Sequence, residues 1–156
     1  MQHVPGSQSV AMNVPMGRQI PSGFERDGGI AIAPVLVVDS DPELLAAYER
    51  LLLRFGCRVF SARSRRGALR YLSRERVRLV VVDVGLSDGD GLDVVRIARG
   101  TRLPPVVIIV TGSPLDGNGR RAFEAGATAY VGKPVGLPAF AVLLEGLLRT
   151  CVADRK

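Results

Sequence analysis

Short apolar runs alternate with amphipathic stretches along most of this 156-residue chain. Three of the runs are unbroken and rich in β-branched residues, which is typical of strands buried on both faces of a parallel sheet: 35–38, 79–82 and 106–110. Two weaker candidate strands cover residues 57–61 and 127–131.

Each apolar run is followed by a stretch with helical spacing. The first helix is predicted to begin with Asp41 as N-cap, with Pro42 at its first position, and to end at Gly56. The other four helices are predicted to begin near Ser64 and near Asp90, and to cover 120–125 and 137–151. Strand and helix alternate five times, which predicts an α/β fold: a doubly wound, three-layer (βα)5 sandwich around a five-stranded parallel sheet.

The first 33 residues interrupt this regularity. They are rich in Gly, Pro, Ser and Gln and show neither helical nor strand periodicity. We therefore expect residues 1–33 to be a flexible extension and residues 34–156 to be the folded domain. No stretch approaches the ~20 apolar residues that a membrane-spanning helix needs, so we expect no membrane partner.

Composition removes several classes of chemistry. The only histidine, His3, lies in the N-terminal extension, which argues against a Ser-His-Asp triad and a histidine zinc site. Cys57 and Cys151 are far apart in sequence and fit no metal-binding spacing, so we expect reduced thiols and a cytoplasmic location.

Polar residues close the three strongest strands. Asp39, Asp83 and Thr111 each follow or end an apolar run, and Lys133 follows the fifth strand. A single Asp at a strand end is usually a cap, but parallel strands present their carboxyl ends at one edge, so we expect these side chains to share a site. Two carboxylates suit Mg²⁺, and a carboxylate beside a cation can attack phosphorus while a lysine neutralises the phosphoryl oxygens.

Four motifs in this order resemble the receiver domain of two-component response regulators. They are VVDSDP at 37–42, VDVGLSDGDGL at 82–92, VTG at 110–112 and AYVGKP at 129–134. The resemblance covers roughly 34–152 and implies a flavodoxin-like fold of the CheY-like type. It also implies a signalling domain in a phosphorelay rather than an enzyme, with at most self-phosphorylation and autodephosphorylation.

The resemblance implies a role for each matching residue. Asp83 matches the phosphoacceptor, which takes a phosphoryl group from a sensor histidine kinase or a histidine phosphotransfer protein. Thr111 and Lys133 match the hydroxyl and the amine that contact this group, and Gly112 the small residue that leaves it room. Tyr130 matches the aromatic switch that turns inward when Thr111 moves toward the phosphorylated site.

The implied Mg²⁺ site departs from the family pattern. Asp39 matches the acid that holds the metal through water, and Gly85 matches the backbone carbonyl ligand. Ser40 occupies the position of the acid that binds the metal directly, so we expect weaker Mg²⁺ binding. The neighbouring Asp41 is expected to cap the first helix instead of replacing that acid.

Two further departures affect the loops. Ser87 replaces the proline usual after the phosphoacceptor, which should loosen that loop. Pro114, Gly117 and Gly119 crowd the start of the fourth helix, and because each glycine costs ~1 kcal/mol in a helix interior, we expect that helix to be short or frayed.

Positive charge is concentrated in one segment. Of the formal net charge of +6, residues 50–78 hold ten arginines against the single acid Glu75. Nucleic-acid binding is the weaker interpretation, because these arginines are spread over two helices and a strand and no helix-turn-helix or zinc-finger pattern is present. Solvated arginines or an acidic protein partner fit better.

The chain ends soon after the fifth helix, which suggests a stand-alone receiver. We therefore expect this domain to signal by contact with another protein. Residues 139–144 are consecutively apolar. This run fits either a well-buried core helix or a surface for a downstream protein or a homodimer on the α4-β5-α5 side, that is, the fourth helix, fifth strand and fifth helix.

Two alternatives stay open. Ser40 motivates a degenerate receiver that binds proteins independently of phosphorylation, although Asp83, Thr111 and Lys133 argue against it. The arginine-rich segment from Arg50 to Arg78 motivates a receiver-fold protein that binds nucleic acid. An enzyme acting on a small molecule has the least support, because no P-loop or dinucleotide-binding loop follows the first strand.

Overall fold

The computed structural model describes residues 10–12, 33–112 and 119–153. Five parallel strands, labelled β1 to β5 in chain order, are Pro34–Val38, Arg58–Ala62, Leu79–Val82, Val106–Thr111 and Ala129–Gly132. Five helices, α1 to α5, are Pro42–Arg54, Arg65–Arg74, Gly91–Arg99, Arg120–Ala125 and Leu137–Ala153. The (βα)5 prediction is confirmed.

The parallel strands lie in the order β2-β1-β3-β4-β5. The chain first moves outward from β1 to β2 and then returns to place β3 on the other side of β1. The strand order therefore reverses between β1 and β3, and ligands of doubly wound sheets bind at the carboxyl ends of the strands near such a point.

Both faces of the sheet are buried, which explains the unbroken apolar runs. In β1, Val35 and Val37 pack with α1 and α5, whereas Leu36 and Val38 pack with α2, α3 and α4. The same alternation continues along β3 and β4. The result is the predicted three-layer sandwich, with two helices on one face and three on the other.

A sixth strand, which the sequence pattern did not predict, extends the sheet. Val10–Met12 pairs antiparallel with β5, with Val10 opposite Val131 and Met12 opposite Ala129. The sheet is therefore six-stranded. The sequence pattern missed this strand because three residues are too few to show a strand period. The other residues of the expected extension, except Ala33, lie outside the described part, so its flexibility stays a prediction.

Local signals start three of the helices as predicted. The Asp41 carboxylate caps α1 by accepting hydrogen bonds from the backbone N–H groups of Glu43 and Leu44. Ser64 caps α2 through the N–H of Gly67, and Asp90 is the N-cap of α3. These caps satisfy N–H groups that have no partner inside a helix.

Helix α4 is short, as its glycines predicted. It has six residues and begins after Gly119, which is in the left-handed conformation at φ 66° and makes no side-chain cap. Pro114 and Gly117, the other residues expected to weaken this helix, lie outside the described residues.

The apolar run in α5 is divided between the core and the surface, with two of its six residues buried and two exposed. Phe140 and Leu144 are buried against the sheet, whereas Val142 is 71% exposed. Within the described residues, none of the helices has the length and apolar character to cross a membrane.

The two cysteines, distant in sequence, lie in one core. Cys57 and Cys151 are not joined in a disulfide and are buried between the sheet and the α1/α5 layer. Burial raises the pKa of Cys57 to about 11, so this thiol is protonated and unreactive at neutral pH.

Candidate functional site

Four polar side chains meet at the carboxyl edge of the sheet. Asp39 follows β1, Asp83 follows β3, Thr111 ends β4 and Lys133 follows β5. The first three are 1%, 8% and 2% exposed and are the buried polar residues of the described part. Because parallel strands end at the same edge, strand ends far apart in sequence converge here.

Lys133 joins the two carboxylates. Its Nζ donates hydrogen bonds to Asp39 Oδ2 at 2.8 Å and to Asp83 Oδ2 at 2.9 Å. Thr111 donates a side-chain hydrogen bond to Asp83. The structure thus brings together all four residues that the strand ends suggested. Lys133 itself precedes a cis Pro134.

Backbone N–H groups hold the other carboxylate oxygens. Asp39 Oδ1 accepts from the N–H of Asp41 at 2.9 Å, and Asp83 Oδ1 accepts from the N–H of Gly85 at 3.0 Å. Each carboxylate therefore has one oxygen toward the backbone and one toward Lys133, which restricts its rotation. Two negative groups and one ammonium leave this cluster with a formal charge of −1.

These contacts keep the cluster charged despite its burial. Burial by itself raises the pKa of Asp83, but the hydrogen bonds from Lys133, Gly85 and Thr111 outweigh it and hold the pKa below its ordinary value. Burial by itself lowers the pKa of Lys133, but hydrogen bonds to Asp39 and Asp83 raise it above its ordinary value. At neutral pH the Asp83 carboxylate is therefore ionised.

The loop after Asp83 needs a glycine where it meets α3. A Cβ on Gly91 would lie 2.2 Å from the Asp83 carbonyl oxygen and 2.7 Å from Val84 Cα. Gly85–Leu86 and Gly89–Asp90 pair as a short antiparallel hairpin within this loop. The close approach of α3 to the Asp83 backbone requires a residue without a side chain.

The same loop is tied to α2 by a residue that sequence reasoning missed. Asp88 accepts hydrogen bonds from the backbone N–H groups of Arg65 at 2.7 Å and Arg66 at 3.0 Å. Arg65 Nε also bonds Asp93 Oδ2 in α3 at 3.1 Å. These contacts restrain the loop, and the loosening expected from Ser87 stays a prediction. No local pattern predicts them, because the partners are more than twenty residues apart.

Tyr130 lies beside the start of α4. A Cβ on Gly119 would lie 3.1 Å from Tyr130 Cγ, so the helix begins against the aromatic ring. Among the described residues, the atom nearest to a Cβ on Gly112 would be Lys133 Cβ, at 3.8 Å. The described side chains therefore leave room beside Lys133.

Tyr48 is a second residue near the site that the sequence presented only as a core position. Its ring packs against Phe140 with centroids 5.4 Å apart, and its hydroxyl is buried without a hydrogen-bond partner among the described residues. Burial, followed by the negative charge of Asp39, raises the pKa of Tyr48 to about 12. The phenol is therefore neutral at physiological pH.

The donor set suits a magnesium ion that keeps several waters. Asp39 and Asp83 supply two carboxylates, and Gly85 lies in the adjoining backbone. The described residues include no group of three or more acidic, histidine or cysteine side chains that could hold a metal. Ser40 is exposed and supplies only a neutral hydroxyl. Mg²⁺ is commonly bound through one or two carboxylates and water, so the residues fit, with fewer charged ligands than the family pattern has.

Comparisons with known proteins identify the family of the chain. The response regulator receiver domain family matches residues 35–145. Transcriptional regulatory protein KdpE of Mycobacterium tuberculosis is 34% identical over 116 residues, which are 74% of this chain and 50% of that protein. Transcriptional regulatory protein PrrA of Mycobacterium bovis is 34% identical over 124 residues, which are 79% of this chain and 53% of that protein. The chain spans about half the length of these curated relatives.

A solved structure supports the same assignment. The CheY-like response regulator receiver domain protein from Methanospirillum hungatei has a TM-score of 0.74 and 26% identity, covering 80% of this chain and 99% of that one. The family match spans well over half of the chain and includes every strand and helix from β1 to the middle of α5. This chain therefore belongs to the family of response regulator receiver domains, the signalling domains of two-component systems.

Proposed function

We propose that this chain accepts a phosphoryl group on Asp83 from a phosphohistidine of a sensor kinase or phosphotransfer protein. The observation that carries the proposal is the Lys133 ammonium, which contacts both Asp83 and Asp39 while Thr111 bonds Asp83. An Asp83 oxygen attacks phosphorus, the phosphorus–nitrogen bond of the donor breaks, and the imidazole leaves and takes up a proton. The product is an aspartyl phosphate.

Lys133 and Thr111 can donate hydrogen bonds to the oxygens of the phosphoryl group on Asp83. In this proposal both side chains exchange contacts with the Asp83 carboxylate for contacts with the phosphoryl group, which develops negative charge during transfer. Asp39, Asp83 and the Gly85 carbonyl would hold Mg²⁺, as receiver domains do. Bound there, the ion neutralises part of the charge on the transferred group.

The output of phosphorylation is a change on the α4-β5-α5 side. Thr111 ends β4, and movement of its hydroxyl toward the phosphoryl group leaves space for the Tyr130 ring to turn inward. Two observations support this route: Gly119 touches the ring, and α4 begins there without a side-chain cap. A short, uncapped helix shifts at low cost, and the altered surface binds a downstream protein or a second receiver.

Ser40 favours a second candidate function, protein binding that does not depend on phosphorylation. Its hydroxyl replaces an anionic metal ligand, and without sufficient Mg²⁺ affinity the transfer reaction loses charge stabilisation. In that case the Asp39–Lys133–Asp83 cluster serves as a charged element of the fold. This is the weaker candidate, because Asp83, Thr111 and Lys133 all match the family pattern.

The experiment is incubation with acetyl phosphate and Mg²⁺, followed by intact-mass measurement. We expect one phosphoryl adduct in the wild type and none in Asp83→Asn. Asp41→Asn is the matched control, because asparagine keeps the helix cap and Asp41 lies outside the cluster. An adduct that persists in Asp83→Asn, or one that is lost equally in the control, contradicts the assignment of Asp83.

A Ser40→Asp variant separates the two candidate functions. Restoring the carboxylate should lower the Mg²⁺ concentration for half-maximal labelling by about tenfold or more, whereas Ser40→Ala should leave it unchanged. If Ser40→Asp is labelled and the wild type is not labelled at any Mg²⁺ concentration, the phosphorylation-independent function is favoured.

A further inference from the structure

The arginine-rich segment does not form one continuous surface. Arg50 and Arg54 lie on α1, which packs on one face of the sheet, whereas the arginines of α2 lie over the other face. The sheet therefore separates the arginines of α1 from those of α2. A duplex contact that neutralises many phosphates at once is not available to the segment as a whole.

One side carries an ordered row of positive charge. Arg66, Arg70 and Arg74 are exposed and follow one another at four-residue intervals, which places them along one stripe of α2. Within residues 33–112 and 119–153, none of their guanidinium groups takes part in an ion pair. Like charges at this spacing repel and weaken a helix.

Helices α3, α4 and α5 each pair an arginine with an acidic residue of the same helix, whereas α1, like α2, shows no such pair among the described residues. In α3, Arg96 pairs with Asp93 at 3.1 Å. In α5, Arg149 pairs with Glu145 at 2.7 Å. Helix α2 itself contains no acidic residue, so its stripe has no intrahelical neutralisation.

An open groove adjoins the stripe. It has a volume of about 530 Å³ and is lined by Arg65, Arg66, Leu69, Arg70, Ser73 and Asp88. The carboxylate of Asp88 is already bonded to backbone N–H groups of α2, and Arg65 is bonded to Asp93. Arg66 and Arg70 are therefore the charged groups of the groove left to bind a ligand, with Leu69 as an apolar contact between them.

We propose that this groove and stripe are a docking surface for an acidic segment of a partner protein. Carboxylates of the segment pair with Arg66 and Arg70, whose planar guanidinium groups match carboxylate geometry. An apolar side chain of the segment contacts Leu69. The lining favours a peptide over a nucleic-acid backbone, because Leu69 offers an apolar contact that a side chain of a peptide can use and a phosphate backbone cannot.

The docking surface does not depend on the proposed phosphorylation. It lies on α2, away from the α4-β5-α5 side, and its test needs neither phosphodonor nor Mg²⁺. Failure of the docking test therefore leaves the phosphoacceptor assignment standing, and failure of labelling at Asp83 leaves the docking surface standing.

The probe is a short fluorescein-labelled peptide in which leucine alternates with pairs of glutamates, titrated with the full chain and read by anisotropy. We expect saturable binding that weakens as salt is raised, and about a tenfold loss of affinity in Arg66→Gln/Arg70→Gln. The matched control is Arg50→Gln/Arg54→Gln, which removes the same charge from α1 and should change the affinity less than twofold. A peptide with glutamine in place of glutamate should not bind.

Four results overturn the proposal. They are no binding of the glutamate peptide, equal loss in both double variants, equal binding of the glutamine peptide, and tighter binding of random-sequence duplex DNA that depends on Arg66 and Arg70. The last result would assign the stripe to nucleic acid. Thermal unfolding of each variant accompanies the titration, because loss of stability in Arg66→Gln/Arg70→Gln would instead give these arginines a structural role.

Discussion

Lys133 offsets part of the negative charge of the site. It is the cation that contacts both buried carboxylates, at 2.8 and 2.9 Å. Removing one partner of a buried ion pair leaves the remaining charge without compensation, which is far more costly than removing an exposed pair. The stability of the fold and the ionisation of Asp83 therefore depend on the same side chain.

Lys133→Met should lower the free energy of unfolding by about 3 kcal/mol at pH 7 in the presence of a chelator. Without the ammonium, burial raises the pKa of Asp83, so the variant takes up a proton as the pH falls and recovers part of the loss. The deficit should thus be largest at pH 7 and narrow toward pH 4. Urea unfolding at several pH values measures it, with Arg74→Met as the exposed-cation control.

In the wild type, the contacts of Lys133 with the carboxylates should stabilise the fold at neutral pH, and this stabilisation should be lost at both low and high pH. The lowered pKa of Asp83 contributes stability that is present above its unfolded value of about 3.9 and is lost as the pH falls through the folded value. The raised pKa of Lys133 contributes stability that is present below its unfolded value of about 10.4 and is lost as the pH rises through the folded value. A deficit in Lys133→Met that does not change with pH would contradict this coupling.

At the residue scale, the sequence predicted the four polar residues of the site but not the side chains that pack around them. Asp39, Asp83, Thr111 and Lys133 could be grouped because each marks the end of a buried strand. Tyr48 could not be added, because a tyrosine at helical spacing resembles any core residue until the packing of α1 against the sheet is known.

At the scale of elements, the loop after Asp83 is held by contacts with residues outside its own sequence. Asp88 bridges it to the first turn of α2, and Gly91 allows α3 to approach the Asp83 backbone. The expectation of a looser loop came from Ser87 alone, and local propensity does not include hydrogen bonds to another helix. Helix α4, in contrast, was predicted to be short from its own glycines.

Asp88→Ala should increase amide hydrogen exchange several-fold in residues 84–90 and in the first turn of α2, because two backbone N–H groups lose their acceptor. Hydrogen bonds from Arg66 and Arg65 hold the pKa of Asp88 below its ordinary value, so its contribution should disappear as acid protonates the carboxylate. Asp88→Asn, which keeps one carbonyl acceptor, should give an intermediate effect. Unchanged exchange in Asp88→Ala would show that the loop is restrained by the hairpin alone.

At the scale of the whole molecule, the parallel sheet is covered on both faces while one edge carries an added strand. Val10–Met12 occupies the free edge of β5, beside the α4-β5-α5 side. An uncovered strand edge presents unpaired N–H and C=O groups and promotes pairing with other chains. The N-terminal strand thus limits association at the edge next to the proposed output surface.

A chain that begins at Ala33 should remain folded, because the five parallel strands and their helices form both cores. It should self-associate more strongly than the full chain as concentration rises, since the β5 edge is then free. Sedimentation velocity over a concentration series measures this, with circular dichroism as the folding control. Identical sedimentation of both chains, or unfolding of the shorter one, would contradict the role assigned to the strand.

The sequence by itself determined the class of fold and the membership of the central cluster. Unbroken β-branched runs, helix caps and strand-end polar residues are local signals, and parallel-sheet topology converts them into one site. Only the tertiary structure decided four features: the contact of Asp88 with α2, the position of Tyr48 near Asp39, the strand at the β5 edge, and the separation of the α1 arginines from the α2 arginines. Each of these depends on contacts between segments distant in the chain, which hydrophobic periodicity and local propensity do not encode.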